Sequence, residues 1–120
     1  MTELTRIQQI SINAHDLKRA AAFYRDRLAL RHLFDAGPKM TFFACGGVRL
    51  MLAVPEKPEF DHPASIVYFG VDDIHAAHAA LAGRGVGFRE PPHVVSRLPG
   101  WEIWMAFFDD TEGNLLAITA

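Results

Sequence analysis

The chain has 120 residues, of which half are hydrophobic and 22% are charged, and its formal net charge is −2. This length fits one compact domain or two small modules that share a core, and the charge gives no electrostatic basis for binding nucleic acid or an anionic membrane. Cys45 is the single cysteine, so an intrachain disulfide is excluded and a reducing compartment is favoured.

The first half of the sequence predicts a strand, a helix and three further strands. Residues 7–14 alternate, so Gln8, Ile10, Ile12 and Ala14 should meet a helix while Gln9, Ser11 and Asn13 face solvent or a cavity. Asp16 is a suitable N-cap for a helix with apolar residues at helical spacing up to Leu28. Strands are then predicted over residues 32–35, 40–45 and 48–54, with Gly46-Gly47 as the tight turn between the last two.

A segment with three prolines, residues 55–63, indicates a linker, after which the same order of elements begins again. A strand over residues 65–71 leads to a helix that Asp72 or Asp73 caps and that Gly83 and Gly85 end. An edge strand broken around Pro91-Pro92 covers residues 86–89 and 93–95, and a closing hairpin joins residues 101–108 to 115–119. We therefore predict a single domain with module one over about residues 5–54, a linker over 55–64 and module two over 65–120.

The two halves form an internal repeat. A displacement of 57 residues places Ile10 on Val67 and Asp16 on Asp73, and Phe42-Phe43 matches Phe107-Phe108, with Met51 falling on Ala117. Each copy is too small to bury its own apolar face, so the copies should pair about a pseudo-twofold axis. The expected fold is α+β, with two βαβββ modules forming a curved mixed sheet around a cleft.

These elements and three short motifs resemble the vicinal-oxygen-chelate superfamily, the group of glyoxalases, bleomycin resistance proteins and extradiol dioxygenases. The motifs are Asp16-Leu17 with residues 21–25, residues 71–74, and the turn at residues 108–116. The resemblance covers nearly the whole chain and implies the fold more directly than the function. It also implies a homodimer, because members commonly form dimers, often with modules exchanged between subunits.

Metal-dependent members of that superfamily hold one divalent ion with four side chains from the first and last strands of each module. The resemblance carries these positions to Gln9, Met51, Ile66 and Ala117. Gln9 can ligate a metal ion, whereas Met51 is a soft thioether and the other two side chains have no donor atom. We therefore expect no metal cofactor, although a divalent metal bound in a rearranged site remains an alternative.

Small-molecule binding by inward-facing residues of the cleft is the expectation that follows. Of the two rows of the strand at residues 101–108, the one with Glu102 and Trp104 is chosen as inward because Glu102 is its polar member. Arg49 on an apolar strand needs an acceptor, which is either a ligand carboxylate or phosphate, or an internal acid such as Glu102, unless the side chain extends to solvent. The predicted ligand-binding residues are Gln9, Ser11, Asn13, Arg49, Met51, Tyr68, Glu102 and Trp104.

Several other polar residues have both a functional and a structural interpretation. His93 and Glu102 could form an acid–base pair or ligate a displaced metal, or His93 could be a surface residue of an edge strand. His75 and His78 are one helical turn apart, although a solvated helix face explains them, and Cys45 is explained as a small buried residue. The acidic turn with Asp109, Asp110 and Glu112 resembles a cation loop, but a turn uses such residues for its own hydrogen bonds.

Three functions follow from these observations. The first is a metal-independent protein that binds a small aromatic or anionic molecule. The second is a lactoylglutathione lyase-like or extradiol dioxygenase-like enzyme whose metal is held by Gln9 with residues such as His93 and Glu102. The third is a role through dimer contacts, with the cleft filled by side chains. We expect a cytoplasmic location, because the sequence has no signal-peptide pattern and no run near the roughly 20 apolar residues of a membrane span.

Overall fold

The structure, a computed structural model, describes residues 3–120. It divides the chain into two units that meet in the sequence between Ala64 and Ser65. Each unit is a four-stranded mixed sheet with one helix packed against it. The predicted α+β class with two tandem modules is therefore confirmed.

The first unit begins with β1 (Gln9–Asn13) and α1 (Leu17–Ala22), which continues as a π-helical turn (Phe23–Arg27). Strands β2 (Arg31–Asp35), β3 (Met40–Cys45) and β4 (Val48–Ala53) follow, and a 3₁₀ turn (Pro58–Phe60) lies in the proline-rich segment. The strand order is β1-β4-β3-β2, with β1 parallel to β4 and the other pairs antiparallel.

The alternation of β1 determines where α1 packs. Ile12 and Ala14 are 0% and 1% exposed, and they share the helix-covered side of the sheet with Leu50, Phe43 and the helical Tyr24, as the sequence predicts. Asp16 caps α1, since its Oδ1 accepts a hydrogen bond from the backbone N–H of Arg19 at 3.1 Å. The polar row of β1 consequently lies on the opposite side of the sheet, away from the helix.

The second unit contains β5 (Val67–Gly70), α2 (Ile74–Gly83), β6 (His93–Leu98), β7 (Trp101–Asp109) and β8 (Leu115–Thr119). Its strand order, β5-β8-β7-β6, is that of the first sheet, and β5 runs parallel to β8. The predicted strand at residues 86–89 is reduced to a single bridge between Phe88 and Phe108. Strand β6 is longer than predicted and has a bulge between Val94 and Ser96.

Carboxylates cap α2 and the last turn of the second unit. Of the two candidate caps, the structure selects Asp73, whose Oδ1 accepts from the backbone N–H groups of His75 and Ala76 at 3.1 Å each. In the turn before β8, the buried Asp110 accepts from the N–H groups of Glu112 and Asn114 and from the Asn114 side chain. This acidic turn therefore uses its buried carboxylate for its own backbone, as the sequence predicts.

Strand register confirms the internal repeat residue by residue. Met51 pairs with Ser11 and Phe42, and Ala117 pairs with Tyr68 and Phe107. Met51 and Ala117 thus occupy equivalent places in the two sheets, as the sequence match predicts. Among residues 3–120, no helix has the length and apolar character that crossing a membrane requires.

Candidate functional site

The side of the first sheet that lies away from α1 brings five of the predicted ligand-binding residues together; we call it the first helix-free face. It carries alternate residues of three neighbouring strands, because paired residues of a sheet point to the same side. Its members are Gln9, Ser11 and Asn13 of β1, Arg49, Met51 and Ala53 of β4, and Met40, Phe42 and Ala44 of β3.

Arg49 is the half-buried charged group of this face, which also carries the exposed Arg31 of β2. The guanidinium of Arg49 is fixed on two sides. Its Nε and Nη2 donate to Oε1 of Gln9 at 3.1 and 2.8 Å, and its Cζ lies 5.5 Å from the centre of the Phe42 ring. In the part of the chain that the structure describes, no carboxylate pairs with Arg49. The internal partner of Arg49 is therefore the neutral amide of Gln9, and the positive charge is not neutralised.

Aromatic and thioether groups continue from Arg49 across the face. The Phe42 ring stacks on Phe34 of β2 with centroids 4.5 Å apart, and Nε2 of Gln9 lies 3.6 Å from the Met51 sulfur. Phe34 is 44% exposed, so one edge of this stack is open to solvent. A cation beside stacked rings matches the shape and charge of an aromatic acid.

A pocket of about 220 Å³ lies on the same face, next to Met51. Its lining is mostly apolar, with Ser11 and Asn13 as polar groups from β1, and its volume lies below the roughly 300–1,000 Å³ that is usual for drug-sized ligands. The pocket is therefore too small for a drug-sized molecule. The lining residues are Ser11, Asn13, Met40, Met51, Ala53, Val54, Pro55, Glu56 and Phe60.

The proline-rich segment forms one wall of this pocket, and Asn13 holds it there. The Asn13 amide donates to the carbonyl oxygens of Phe60 and His62, the latter at 3.0 Å. A hydrogen bond of 2.9 Å between Nε2 of His15 and Oδ1 of Asp61 fixes the segment at a second point. The sequence indicates only a linker here, so the part of this segment in the pocket was not predicted.

The equivalent side of the second sheet, the second helix-free face, is aromatic, and Asp109 of β7, which lies at its end, is paired with Arg89. Tyr68 of β5 and Phe107 of β7 are neighbours of Ala117 on either side, and their rings meet edge to face at 6.0 Å. Ala117 is 0% exposed, whereas Tyr68 is 44% exposed. Tyr68 is the one predicted ligand-binding residue on this face.

The prediction that Glu102 and Trp104 share a face with Tyr68 was wrong. The Trp104 ring meets His75 of α2 at 5.2 Å, and Ala106 and Phe108 in the same row are 0% exposed. This row packs toward the helix because its large apolar members fill the core. Glu102 lies at the far end of the row, where its Oε2 accepts from Nε of Arg97 at 2.8 Å.

The proposed pair of His93 and Glu102 is not assembled either. His93 pairs across the strands with Met105 and so lies on the second helix-free face, while Glu102 pairs with Arg97 on the opposite side. The His93 ring contacts the Pro91 carbonyl through Nδ1 at 3.1 Å and lies 3.5 Å from Glu90 through Nε2. Two residues on opposite sides of one sheet cannot share a proton or a metal ion.

The remaining polar candidates have structural partners. His75 and His78 of α2 contact the rings of Trp104 and Phe88, at 5.2 and 4.3 Å, so they pack on aromatic side chains instead of standing only in solvent. Cys45 is half-buried, and burial raises the pKa of its thiol, which disfavours the reactive thiolate. Asp109 accepts two hydrogen bonds from Arg89, which lowers the pKa of Asp109.

The four positions that the family resemblance assigns to a metal do not provide a metal-binding set. Gln9 is engaged by Arg49, and Met51 offers only a thioether. Ile66 is 40% exposed and Ala117 is enclosed beside the rings of Tyr68 and Phe107, and neither side chain has a donor atom. Within residues 3–120, no three His, Cys, Asp or Glu side chains lie together as potential ligands. The residues present therefore do not fit the family metal site.

One family model matches nearly the whole chain. The sequence model of the glyoxalase/bleomycin resistance protein/dioxygenase superfamily matches residues 6–118. A comparison with curated protein sequences finds no match.

Solved structures match over almost the whole chain. One is a member of that superfamily from Sphaerobacter thermophilus, with a TM-score of 0.79, 22% identity and 97% of each chain covered. A lactoylglutathione lyase from Agrobacterium tumefaciens matches with a TM-score of 0.74 and 22% identity, over 98% of this chain and 94% of that one. A virulence protein from Salmonella typhimurium matches with a TM-score of 0.79 and 18% identity, over 98% of both chains. At these identities the likeness concerns the fold.

Proposed function

The chain belongs to the glyoxalase/bleomycin resistance protein/dioxygenase superfamily, and from this premise we propose that it binds a small anionic or aromatic molecule on the first helix-free face, without the family metal. One observation carries the proposal: the Arg49 guanidinium is held by Gln9 above the Phe42 ring and has no carboxylate partner among the described residues. A charge that is oriented but not neutralised favours an anion from outside.

Aromatic acids are the first class to test. The carboxylate would meet the guanidinium fork, and the ring would lie along the Phe42 and Phe34 stack or enter the pocket beside Met51. The small volume of that pocket, about 220 Å³, favours single-ring ligands over conjugates such as glutathione adducts. The predicted ligand-binding residues that support this proposal are Gln9, Ser11, Asn13, Arg49 and Met51.

Isothermal titration calorimetry with benzoate tests the proposal, with benzyl alcohol as the uncharged control. We expect Arg49→Gln to weaken benzoate binding at least about tenfold, because a hydrogen bond to a charged group contributes about 1.5–3 kcal/mol. Arg19→Gln removes the same charge from the exposed side of α1 and should leave binding unchanged. Equal affinities for benzoate and benzyl alcohol, or an Arg49→Gln variant that binds like the wild type, would refute the role of Arg49.

The alternative of a metal-dependent lyase or dioxygenase with a rearranged site gains no support from the described side chains. That alternative needed His93 and Glu102 on one side of the sheet, and they lie on opposite sides. Metal analysis of the purified protein, with Ni²⁺, Zn²⁺, Mn²⁺ and Fe²⁺ added, decides it independently of the benzoate titration.

We also propose that the protein is a cytoplasmic homodimer. The dimer is what the superfamily resemblance implies, and the location is favoured by the single cysteine. Light scattering coupled to size-exclusion chromatography measures the mass, and a monomer at micromolar concentration would contradict this expectation.

A further inference from the structure

Two arginines lie in one row across the first helix-free face. Strand pairing sets Arg31 of β2 opposite Ala44 of β3, and Ala44 opposite Arg49 of β4. Paired residues of a sheet point to the same side, so both arginine side chains leave this face with only the methyl group of Ala44 between them. Two strand spacings of about 4.8 Å place their Cα atoms roughly 10 Å apart. We call Arg31, Ala44 and Arg49 the arginine row.

Ring contacts fix the side of the sheet to which Arg31 points. The next residue, His32, pairs with Phe43 and meets its ring at 5.6 Å, on the side that α1 covers. After the bulge, Phe34 pairs with Phe42 and stacks on its ring at 4.5 Å, on the helix-free side. Because neighbours along a strand alternate, Arg31 points away from His32 and shares the side of Phe34. The half-open aromatic stack therefore lies in the row next to the arginine row.

The charge of the arginine row is not neutralised by its own strands. Arg49 is held by the neutral amide of Gln9, and the exposed Arg31 has no carboxylate partner within residues 3–120. The four strands of the first sheet contain one carboxylate, Asp35, whose hydrogen bond with His32 lies on the helix-covered side. Guanidinium groups stay charged in proteins, so this balance does not depend on the protonation of a histidine.

One carboxylate from outside the strands lies beside this face, that of Glu56 in the wall of the pocket next to Met51. The pocket is lined by β1, β3, β4 and the proline-rich segment, and not by β2. Glu56 therefore does not neutralise Arg31. It does repel an anionic group that enters the pocket, so a ligand with two anionic groups would place the second one at Arg31.

The two guanidinium groups are held apart. Nε and Nη2 of Arg49 both donate to Oε1 of Gln9, which belongs to β1. Arg31 lies on the other side of Arg49, beyond β3, because the strand order is β1-β4-β3-β2. Arg49 would have to leave Gln9 in order to close on one small anion together with Arg31. The arrangement therefore favours two separate anionic groups over a single phosphate or sulfate.

We propose that the first helix-free face selects an aromatic ring with two carboxylates in the 1,3 arrangement, which rests on the proposed function because Arg49 binds the first carboxylate. The ring lies along the stack of Phe34 and Phe42, and the second carboxylate meets Arg31. Carboxylates in the 1,3 arrangement leave the ring toward one edge, which matches two cations in one row beside stacked rings. Benzoate occupies only the Arg49 half of this site.

Isophthalate is the probe, and its monomethyl ester is the matched control, because the ester keeps the ring and has one carboxylate fewer. Proton–nitrogen correlation NMR of the full chain measures both affinities and locates binding through the Nε–H signals of Arg31 and Arg49. We expect isophthalate to bind about threefold to fivefold more tightly than the ester, the upper range for an exposed ion pair. This preference should shrink as salt is added.

Arg31→Gln should lower the isophthalate affinity to that of the ester and leave the affinities for the ester and benzoate unchanged. Arg19→Gln removes the same charge from α1, on the other side of the sheet, and should keep the preference for isophthalate. Both positions are exposed, so both variants should fold. An undiminished preference in Arg31→Gln would overturn the proposal and leave Arg31 as a charge that protects the edge strand β2 from pairing with other sheets.

The outcomes distinguish the second carboxylate site from the proposed function. If Arg49→Gln weakens benzoate while Arg31→Gln keeps the isophthalate preference, only the second site is refuted. If Arg49→Gln binds benzoate like the wild type, the role of Arg49 is refuted. Isophthalate shifts that Arg31→Gln abolishes, without any benzoate shifts, would support the arginine row alone. Absent shifts with both benzoate and isophthalate would overturn both proposals.

Discussion

The two sheets share strand order and register, but their helix-free faces differ in chemistry. On the first face the described side chains connect Gln9, Arg49 and Met51 by hydrogen bonds and contacts. On the second, Ala117 lies beside the rings of Tyr68 and Phe107. The pairs that are equivalent by strand register are Ser11 and Tyr68, Asn13 and Gly70, Arg49 and Leu115, and Met51 and Ala117. The displacement of 57 residues also matches Gln9 with Ile66.

This comparison separates what the backbone decides from what the side chains decide. Backbone pairing places each residue on a given side of its sheet, so both units have a helix-free face. The side chains then make the two faces different, since Arg49 of the first face is held by the amide of Gln9, whereas Asp109 of the second face is paired with Arg89. Three pairs of substitutions at equivalent or nearly equivalent positions, and one measurement of acid stability, test this difference.

The largest difference is expected between Ala117→Glu and Met51→Glu, which add a carboxylate at equivalent places. Ala117 is 0% exposed, so Ala117→Glu should lower the free energy of unfolding by about 3 kcal/mol or more through burial of an unpaired charge. Met51 is half-buried and lies next to Arg49 on the same strand face, so Met51→Glu should cost only about 1 kcal/mol. Urea denaturation measures both, and equal losses would contradict the distinction between the faces.

The turns before the last strands of the two units give the second comparison. Asp110→Ala removes a buried acceptor of three hydrogen bonds and should lower the free energy of unfolding by about 2–3 kcal/mol. In the first unit, a Cβ added to Gly47 would meet nothing within 4 Å, and Gly47→Ala should change stability by less than about 0.5 kcal/mol. Thermal unfolding followed by circular dichroism measures both, and a stable Asp110→Ala variant would show that the turn does not depend on its carboxylate.

Asn13 and Gly70 form the third pair. Asn13→Ala removes the donor that holds the carbonyl groups of Phe60 and His62, so we expect a loss of about 1 kcal/mol in stability and weaker benzoate binding. Gly70→Ala adds a Cβ where nothing lies within 4 Å, and should leave stability within about 0.5 kcal/mol and benzoate affinity unchanged. A benzoate affinity that Asn13→Ala does not lower would show that the proline-rich segment plays no part in the site.

The smallest effect concerns acid stability and distinguishes Asp109 from its equivalent, Ala44. Arg89 lowers the pKa of Asp109 through bonds of 2.7 and 3.0 Å. A carboxylate whose folded-state pKa is lowered stabilises the fold above its unfolded pKa of about 4, and this contribution is lost as pH falls through the lowered value. Asp109→Asn should therefore lose less stability than the wild type between pH 5 and pH 2.5.

Arg89→Gln is the control for this measurement, because it removes the same pair from the other side. The urea concentration at the midpoint of unfolding is measured between pH 5 and pH 2.5. In both variants this midpoint should fall slightly less with pH than in the wild type, and by a similar amount, since the pair is partly exposed. If the urea midpoint of both variants falls with pH as steeply as that of the wild type, the acid sensitivity comes from other carboxylates.

Local signals in the sequence predicted most of the fold. The alternation of β1, the N-cap residues Asp16 and Asp73, and the bounds of β3 and β8 follow from periodicity and capping chemistry that neighbouring residues decide. The predicted strand at residues 86–89 is reduced to one bridge at Phe88, and Pro91-Pro92, which have no backbone N–H, do not extend this bridge toward β6.

The orientation of β7 could not be predicted from its alternation, since both of its rows contain large apolar residues. The row of Glu102 was predicted to face the cleft because Glu102 is polar. In the structure, Arg97 donates a hydrogen bond to Glu102 at the end of the hairpin, so Glu102 does not need a cavity. The internal repeat indicates the correct orientation of β7, because Phe107 matches Phe42, and Phe42 lies on the same face as Met51.

The parallel pairing of β1 with β4 has a consequence for the order of folding. Gln9 and Arg49 are 40 residues apart in sequence, whereas the β3–β4 hairpin closes between Cys45 and Val48. Loop-closure entropy therefore delays β1, which we expect to dock last and to open first in native-state hydrogen exchange. Benzoate bound by Arg49 and the β1 residues would stabilise the pairing of β1 with β4. It should therefore slow amide hydrogen exchange at Ile10 and Ile12 of β1 more than at Phe43 of β3.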